Sequence, residues 1–290
     1  ASRSDIPIVN DAWYDTLNAI KQGSNETAII TSWWDFGHHF KALADRPVTF
    51  DGTTQTSAAA HWVGKLLTIG EEQDAINILR MLDCGGNSAF AEIHKTNEDT
   101  HKSLLILNKI ISMDRQSAEN ELRRLNFDNE RIERLLSYTH CQPPEAFFIA
   151  SEDMIGKSGV WSHFGSWNFE RADIWQNARK MSREEGVEYM INKFNYTRVS
   201  AESIYDEAVS KESDNEGNQW IAPWPGYAGE FNCNRQDNIF SCSPVRVGRD
   251  DQGRDIHVRF VVNWTTYEVT GYIGDAPVVK PSNVAFTTKD

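Results

Sequence analysis

Thr27-Ala28-Ile29-Ile30-Thr31-Ser32-Trp33-Trp34-Asp35-Phe36-Gly37 is the stretch on which the fold of this sequence turns. Residues 27–33 are short, apolar and β-branched, which suits a buried strand, and Asp35-Phe36-Gly37 ends that strand in a turn. Upstream, residues 11–22 place Trp13, Leu17 and Ile20 at helical spacing behind Asn10, a good N-cap, and stop at Gly23. Downstream, residues 56–69 and 71–82 read as a helical hairpin: Ala75, Ile78, Leu79 and Leu82 share one face, and Cys84-Gly85-Gly86 signals the C-terminus. Further helices are predicted over 100–113, 117–125 and 129–138, before Pro143-Pro144 halts the run.

A second buried strand is expected at 146–150, followed by a cap at Ser151-Glu152-Asp153 and a helix that Gly156, Gly159 and Gly165 should kink. One more helix fits 183–194, and Asp214–Asn218 reads as a polar loop. Beyond Trp220 the text changes character. Pro223, Pro225 and Gly226 punctuate short runs, 257–264 and 266–273 are β-rich, and 249–254 forms a hairpin turn. The expected fold class is therefore α+β: a mainly helical core with two short buried strands over 1–215, then a β-rich peripheral unit over 216–290.

The 290 residues, 40% hydrophobic and 11% aromatic, are enough for a substantial core plus a smaller lobe. A net charge of −13 without a visible basic face excludes a nucleic-acid partner. No stretch approaches the roughly 18 to 20 apolar residues that cross a bilayer; residues 103–113 are short and carry Asn108 and Lys109. The opening Ala1-Ser2-Arg3-Ser4-Asp5 has neither Met nor an apolar signal core, and is expected to be the processed or cut start of a longer chain. Cys233 and Cys242 lie nine positions apart in a stretch that reads as strand and turn, and suit a hairpin bridge. Cys84 and Cys141 read equally as a second bridge or as two buried thiols. No Cys-x-x-Cys pair supports a zinc site.

Trp33, Trp34 and Asp35 put two indole N–H donors and one carboxylate on a single turn. An alcohol offers lone pairs to the first two and a proton to the third, so the trio matches one hydroxyl. Read alone, the same residues also suit core and rim packing, with Asp35 holding the turn.

The run Trp33-Trp34-Asp35-Phe36-Gly37 resembles the WWD-x-G signature of oligosaccharyltransferase catalytic subunits, with Phe36 where Tyr is commoner. In that family the three residues bind the Ser or Thr hydroxyl of the Asn-x-Ser/Thr sequon, a role the resemblance carries onto Trp33, Trp34 and Asp35. Met154-Ile155-Gly156-Lys157-Ser158-Gly159-Val160-Trp161 is similar to the family's kinked-helix motif, blending its Asp-x-x-Lys and Met-x-x-Ile forms, with Asp153 displaced by one place. It implies Lys157 in the acceptor pocket and Met154 and Trp161 supporting it. Arg46-Pro47-Val48, Asp51-Gly52 and Asp83-Cys84-Gly85-Gly86-Asn87 resemble the archaeal branch, so the likeness runs from about Ala28 to Trp175.

The resemblance further implies a membrane enzyme that transfers a lipid-linked oligosaccharide to asparagine. Its N-terminal transmembrane region would carry the donor site and a divalent metal, magnesium or manganese, and this domain would sit on the extracytoplasmic face. No catalytic residue and no metal ligand is then expected in this chain, which alone should be inactive. The competing assignment is a tryptophan-rich carbohydrate-binding or cell-surface module without catalysis. His38 and His39 lack an acid-histidine cluster and read as structural; Glu152 and Asp153 suit a helix first turn better than a glycosidase pair. The loop at 214–218 lacks the glutamate of a calcium hand, since Pro225 stands at the twelfth position. Asn25, Asn195 and Asn263 each begin an Asn-x-Thr triplet, modifiable if the domain lies outside the cell.

Overall fold

Two three-residue strands organise the region that carries both motifs: β1 (Ile29–Thr31) pairs in parallel with β2 (Ala146–Phe148), Ile30 opposite Phe147. The computed structural model describes residues 9–224, 232–250, 252–266 and 268–279, so the expectations on Ala1–Asp5, Pro225 and Gly226 lie outside the described residues. Chain contacts divide the molecule into two units, Ala1–Trp224 and Pro225–Asp290.

The first unit is helical. Around β1 stand α1 (Asp11–Gly23) and α2 (Gly37–Ala44), burying Leu17, Ile30 and Phe40 together. The main bundle comprises α3 (Ala59–Thr68), α4 (Glu72–Gly85), α5 (Ser88–Asn97), α6 (Thr100–Ile111), α7 (Arg115–Arg124) and α8 (Asn129–Thr139). Asp99, Asp114 and Asp128 fix the starts of α6, α7 and α8, each carboxylate accepting a backbone N–H three residues on, at 2.8–2.9 Å. Trp62, Ile78, Leu107 and Leu135 fill the bundle's core, and Cys84 and Cys141 are joined across it, so of the two options for those cysteines the bridge holds.

After β2 the chain continues as α9 (Asp153–Gly156), α10 (Ser158–Gly165), α11 (Phe169–Gln176), α12 (Arg183–Phe194), α13 (Arg198–Val209) and α14 (Asp214–Ile221). The last helices bury Val187, Met190, Tyr205 and Trp220 in a separate cluster. Helix α12 starts at a capping box between Ser182 and Glu185, on the predicted boundaries.

Several expectations are corrected. Strand β2 is not buried: it pairs only with β1 on one edge, so Ala146 and Phe148 are exposed and Phe147 alone turns toward the α1–α2 cluster. Residues 214–218 are helical, because Ser213 caps them and Trp220 and Ile221, in the last turn of the same helix, are buried. The division into units accordingly falls after Trp224. Ser151 does not cap the following helix; its hydroxyl bonds the Asp153 carboxylate instead. The expected kink is a full break at Lys157 (φ −98°, ψ 6°) between α9 and α10.

The second unit is an antiparallel sheet of β3 (Cys233–Gln236), β4 (Ile239–Cys242), β5 (Val245–Arg249), β6 (Asp255–Asn263), β7 (Glu268–Ile273) and β8 (Ala276–Val279). The nine-residue β6 is its axis: β4 and β5 pair with different stretches of it, β7 pairs with it too, and β3 and β8 extend the sheet. Cys233 and Cys242 face each other across the β3–β4 ladder and form the expected bridge. The expected turn between β5 and β6 closes through Asp250 N–H to Arg254 C=O (2.9 Å) and needs Gly253 at φ +79°.

Candidate functional site

Parallel strands leave a sheet at the same end, so whatever follows Thr31 and whatever follows Phe148 emerge side by side. Ile149 N–H donates to Thr31 C=O (2.9 Å), carrying the ladder one step beyond the strands. The segment after β1 is the 3₁₀ turn Trp34–Phe36, which runs into α2; the segment after β2 is the Ser151–Lys157 arm and the break before α10. Asp35 and Lys157, 122 positions apart, are brought together here.

The Lys157 ammonium lies 2.8 Å from Asp35 Oδ1 and 2.7 Å from Asp153 Oδ2, and 5.6 Å from the centre of the Phe36 ring. Burial works against its charge, but the hydrogen bonds and charges of Asp153 and Asp35 outweigh that, and its pKa is raised. Asp153 is pulled the other way: burial alone would raise its pKa, yet Lys157 and Ser151 bring it below the ordinary carboxylate value. Lys157 is thus a fixed cation between two carboxylates. The second oxygen of Asp35, Oδ2, is buried and accepts no hydrogen bond. A buried carboxylate oxygen left unpaired costs on the order of 1–3 kcal/mol.

The surrounding shell is rigid for identifiable reasons. Gly37, the last residue of the signature, is needed for space: a Cβ there would stand 2.5 Å from Asp51 Cβ and 2.7 Å from Phe50 C=O. Asp51 itself is buried. It is paired with Lys41 and accepts from Thr53 N–H (2.9 Å) and Thr53 Oγ1 (2.6 Å), which hold its carboxyl far below the usual range. On the other side α10 crosses α3 at van der Waals contact through Gly64 and Gly165; a Cβ on Gly165 would meet Gly64 backbone at 2.3 Å. That crossing fixes Trp161, whose indole N–H donates to Met154 C=O (2.8 Å), and Met154 is buried with its sulfur accepting from Ser32 Oγ and Ser151 N–H.

Trp33 is 3% exposed and packs edge-on against Phe50, with Phe164 behind it, while Trp34 is half-buried against the same cluster. Neither indole N–H is paired with a group among the described residues. Of the sequence-derived residues, Asp35 and Lys157 touch, Met154 and Trp161 support the arm that presents Lys157, and Trp33 forms the base. Sequence reasoning gave Ser151 a helix cap and Asp51 a part in the archaeal likeness, and assigned neither to the site. An aspartate followed by a glycine and two threonines, and a serine two places before an aspartate, are the local signals, both common in ordinary turns.

His38 is exposed, 3.8 Å from Asp51, and His39 carries a buried Nδ1 without a partner. No cluster of three His, Cys, Asp or Glu side chains among the described residues is placed to hold a metal ion, and no helix among them is long and apolar enough to cross a membrane. Chemically, the turn carries an unpaired carboxylate oxygen able to accept and, among the described residues, two unpaired indole N–H groups able to donate, while Lys157 is bonded to the carboxylate's other oxygen.

The chain is 34% identical over 190 residues to a dolichyl-phosphooligosaccharide-protein glycotransferase of Methanocaldococcus jannaschii, a match covering 63% of this chain and 20% of that protein. It is 28% identical over 210 residues to the dolichyl-phosphooligosaccharide-protein glycotransferase of Methanococcus voltae, covering 70% and 23%. The chain therefore spans about a fifth of the length of these relatives. A crystal structure of the C. jejuni pglb C-terminal domain aligns over 52% of each chain with 17% identity and a TM-score of 0.32, too little to support an argument. No family model matches.

Proposed function

Because the chain is related in sequence to a segment of the archaeal dolichyl-phosphooligosaccharide-protein glycotransferases, we propose that it is their C-terminal, acceptor-recognising domain, and that it holds the hydroxyl of an Asn-x-Ser/Thr sequon. The observation that carries this reading is the buried, unpaired Oδ2 of Asp35, in a turn that also carries Trp33 and Trp34. A sequon hydroxyl donates its proton to Oδ2 and accepts from Trp34, the more open indole; Trp33 contributes mainly as the wall behind it. Lys157 holds Oδ1 and so aims Oδ2.

In the whole enzyme this grip positions the asparagine amide beside a lipid-linked oligosaccharide on the extracytoplasmic side of the membrane. The divalent metal belongs, in this reading, to the transmembrane part, and no step of the chemistry is assigned to the described residues. The contribution of this chain is orientation, which supplies several kcal/mol of barrier lowering in favourable cases.

The alternative, a carbohydrate-binding module, requires exposed indoles as stacking platforms. Trp224 is the one exposed tryptophan among the described residues, so nothing in the arrangement favours it. The test uses full-length enzyme and a labelled Asn-x-Thr peptide. Asp35→Ala is expected to reduce glycan transfer by about 10²-fold or more, with the domain still folded by circular dichroism. Transfer at the wild-type rate in that variant would overturn the reading, as would equal transfer to Asn-x-Ala peptide by the wild type.

A further inference from the structure

A groove runs between α3, α6 and the junction of α10 with α11, away from Asp35 and Lys157. It has an apolar part of about 340 Å³, walled by Trp62, Phe90, Leu104, Phe164 and Phe169. A second part of about 230 Å³ continues from it, with His61, Leu104, Trp167 and Phe169 lining both. The second part differs in chemistry, because Lys65 and Asn108 line it and the exposed Leu105 stands at its edge.

Lys65 is the unusual member. Its ammonium is half-buried over Trp62 and reaches only the Asn108 side-chain oxygen (2.5 Å), whose own amide is spent on Leu104 C=O. No carboxylate among the described residues lies within ion-pairing distance of it; Asp74 acts on it only from farther away. Desolvation accordingly lowers its pKa. His61, at the join of the two parts, donates from Nδ1 to Phe164 C=O (2.9 Å) and is held neutral by burial, with its pKa down at about 4, so it offers no competing charge. The one acid in the groove, Glu170, is already engaged by His101 at 3.8 Å and by Tyr196.

We propose that this groove binds an amphipathic carboxylate, its apolar body against Trp62, Leu104 and Phe169 and its carboxylate on Lys65. A half-buried cation without a counter-ion, at the mouth of an aromatic-walled cavity, is completed by a ligand that brings both one negative charge and an apolar tail. One lysine facing Glu170 across the same space suits a monoanion better than a phosphate monoester, which brings nearly two charges.

Octanoate titrated calorimetrically into the 290-residue chain is the probe. Saturable one-to-one binding is expected, weakened about 10-fold or more in Lys65→Gln and retained in Lys65→Arg, with thermal melts confirming that both variants fold. Octyl phosphate is expected to bind less tightly, and 1-octanol to compete poorly. Equal octanoate affinity in Lys65→Gln, competition by 1-octanol at the same concentration, or tighter binding of octyl phosphate would each overturn the assignment.

Discussion

The helical unit and the β unit stabilise themselves by opposite means. The first buries dozens of apolar side chains in three clusters, whereas the described part of the second buries only Cys242, Val262, Val269 and Gly271. A unit of that size has too little interior to rest on burial, and its antiparallel ladders and the Cys233–Cys242 bridge substitute for a core. The lesson concerns where a costly site can be kept. An unpaired buried carboxylate oxygen and a lysine between two carboxylates are tolerated where a large core over-determines the backbone, and both lie in the helical unit.

The contrast can be broken most directly by emptying the larger core. Trp62→Ala should cost about 3–5 kcal/mol and lower the helical circular-dichroism transition, leaving amide exchange over 233–273 unchanged. Next, replacing Cys84 and Cys141 by alanine opens a link of sequence separation 57, with an expected loss of about 2–4 kcal/mol in denaturant unfolding of the helical unit. The corresponding Cys233→Ser, Cys242→Ser double variant opens a separation of nine and should cost about 2–3 kcal/mol. Though smaller in energy, this second loss should be larger in consequence, with amide exchange over β3 and β4 rising toward the unfolded rate. Val262→Ala removes two methyls from the thin interior of the sheet and should cost about 1–2 kcal/mol, visible in the same exchange experiment.

The smallest effect sharpens the comparison through pH. Asp83 has a buried Oδ1 without a partner, and burial raises its pKa to about 6. Its folded pKa therefore exceeds the unfolded value of 3.8, so the folded state is favoured most below that value and loses stability as pH rises through about 6. Asp83→Asn should gain about 1 kcal/mol at pH 7–8, a figure discounted for the side chain's partial exposure, and nothing at pH 3. Denaturant midpoints at the two pH values check it; an equal gain at both would locate the effect elsewhere.

Much of this was readable in the sequence where one physical rule dominates. Helices with a capping aspartate or serine and an apolar face, such as α6, α8 and α12, stood out by spacing, and so did a weak point among Gly156, Gly159 and Gly165, expected as a kink and found as a break. Helices α2, α5, α11, α13 and α14 did not, because tertiary burial of a few side chains, Trp220 and Ile221 in α14, overrides a polar local text. At the site, hydrogen-bonding capacity pointed to Trp33, Trp34 and Asp35 as a group. That one oxygen of Asp35 would be taken by Lys157 and the other left unpaired follows only from the parallel pairing of two distant strands. The same holds for Asp153, whose place on the far side of Lys157 depends on the helix breaking where it does.

The β1–β2 ladder has a consequence for how such a domain can change over time. Only six residues set the separation of the two arms, while the chain between them, from α2 to α8, closes back on itself as a bundle. Loops in that bundle can lengthen, shorten or drift in sequence without retuning the gap between Asp35 and Lys157, so that pair and its scaffold are free to diversify at different rates.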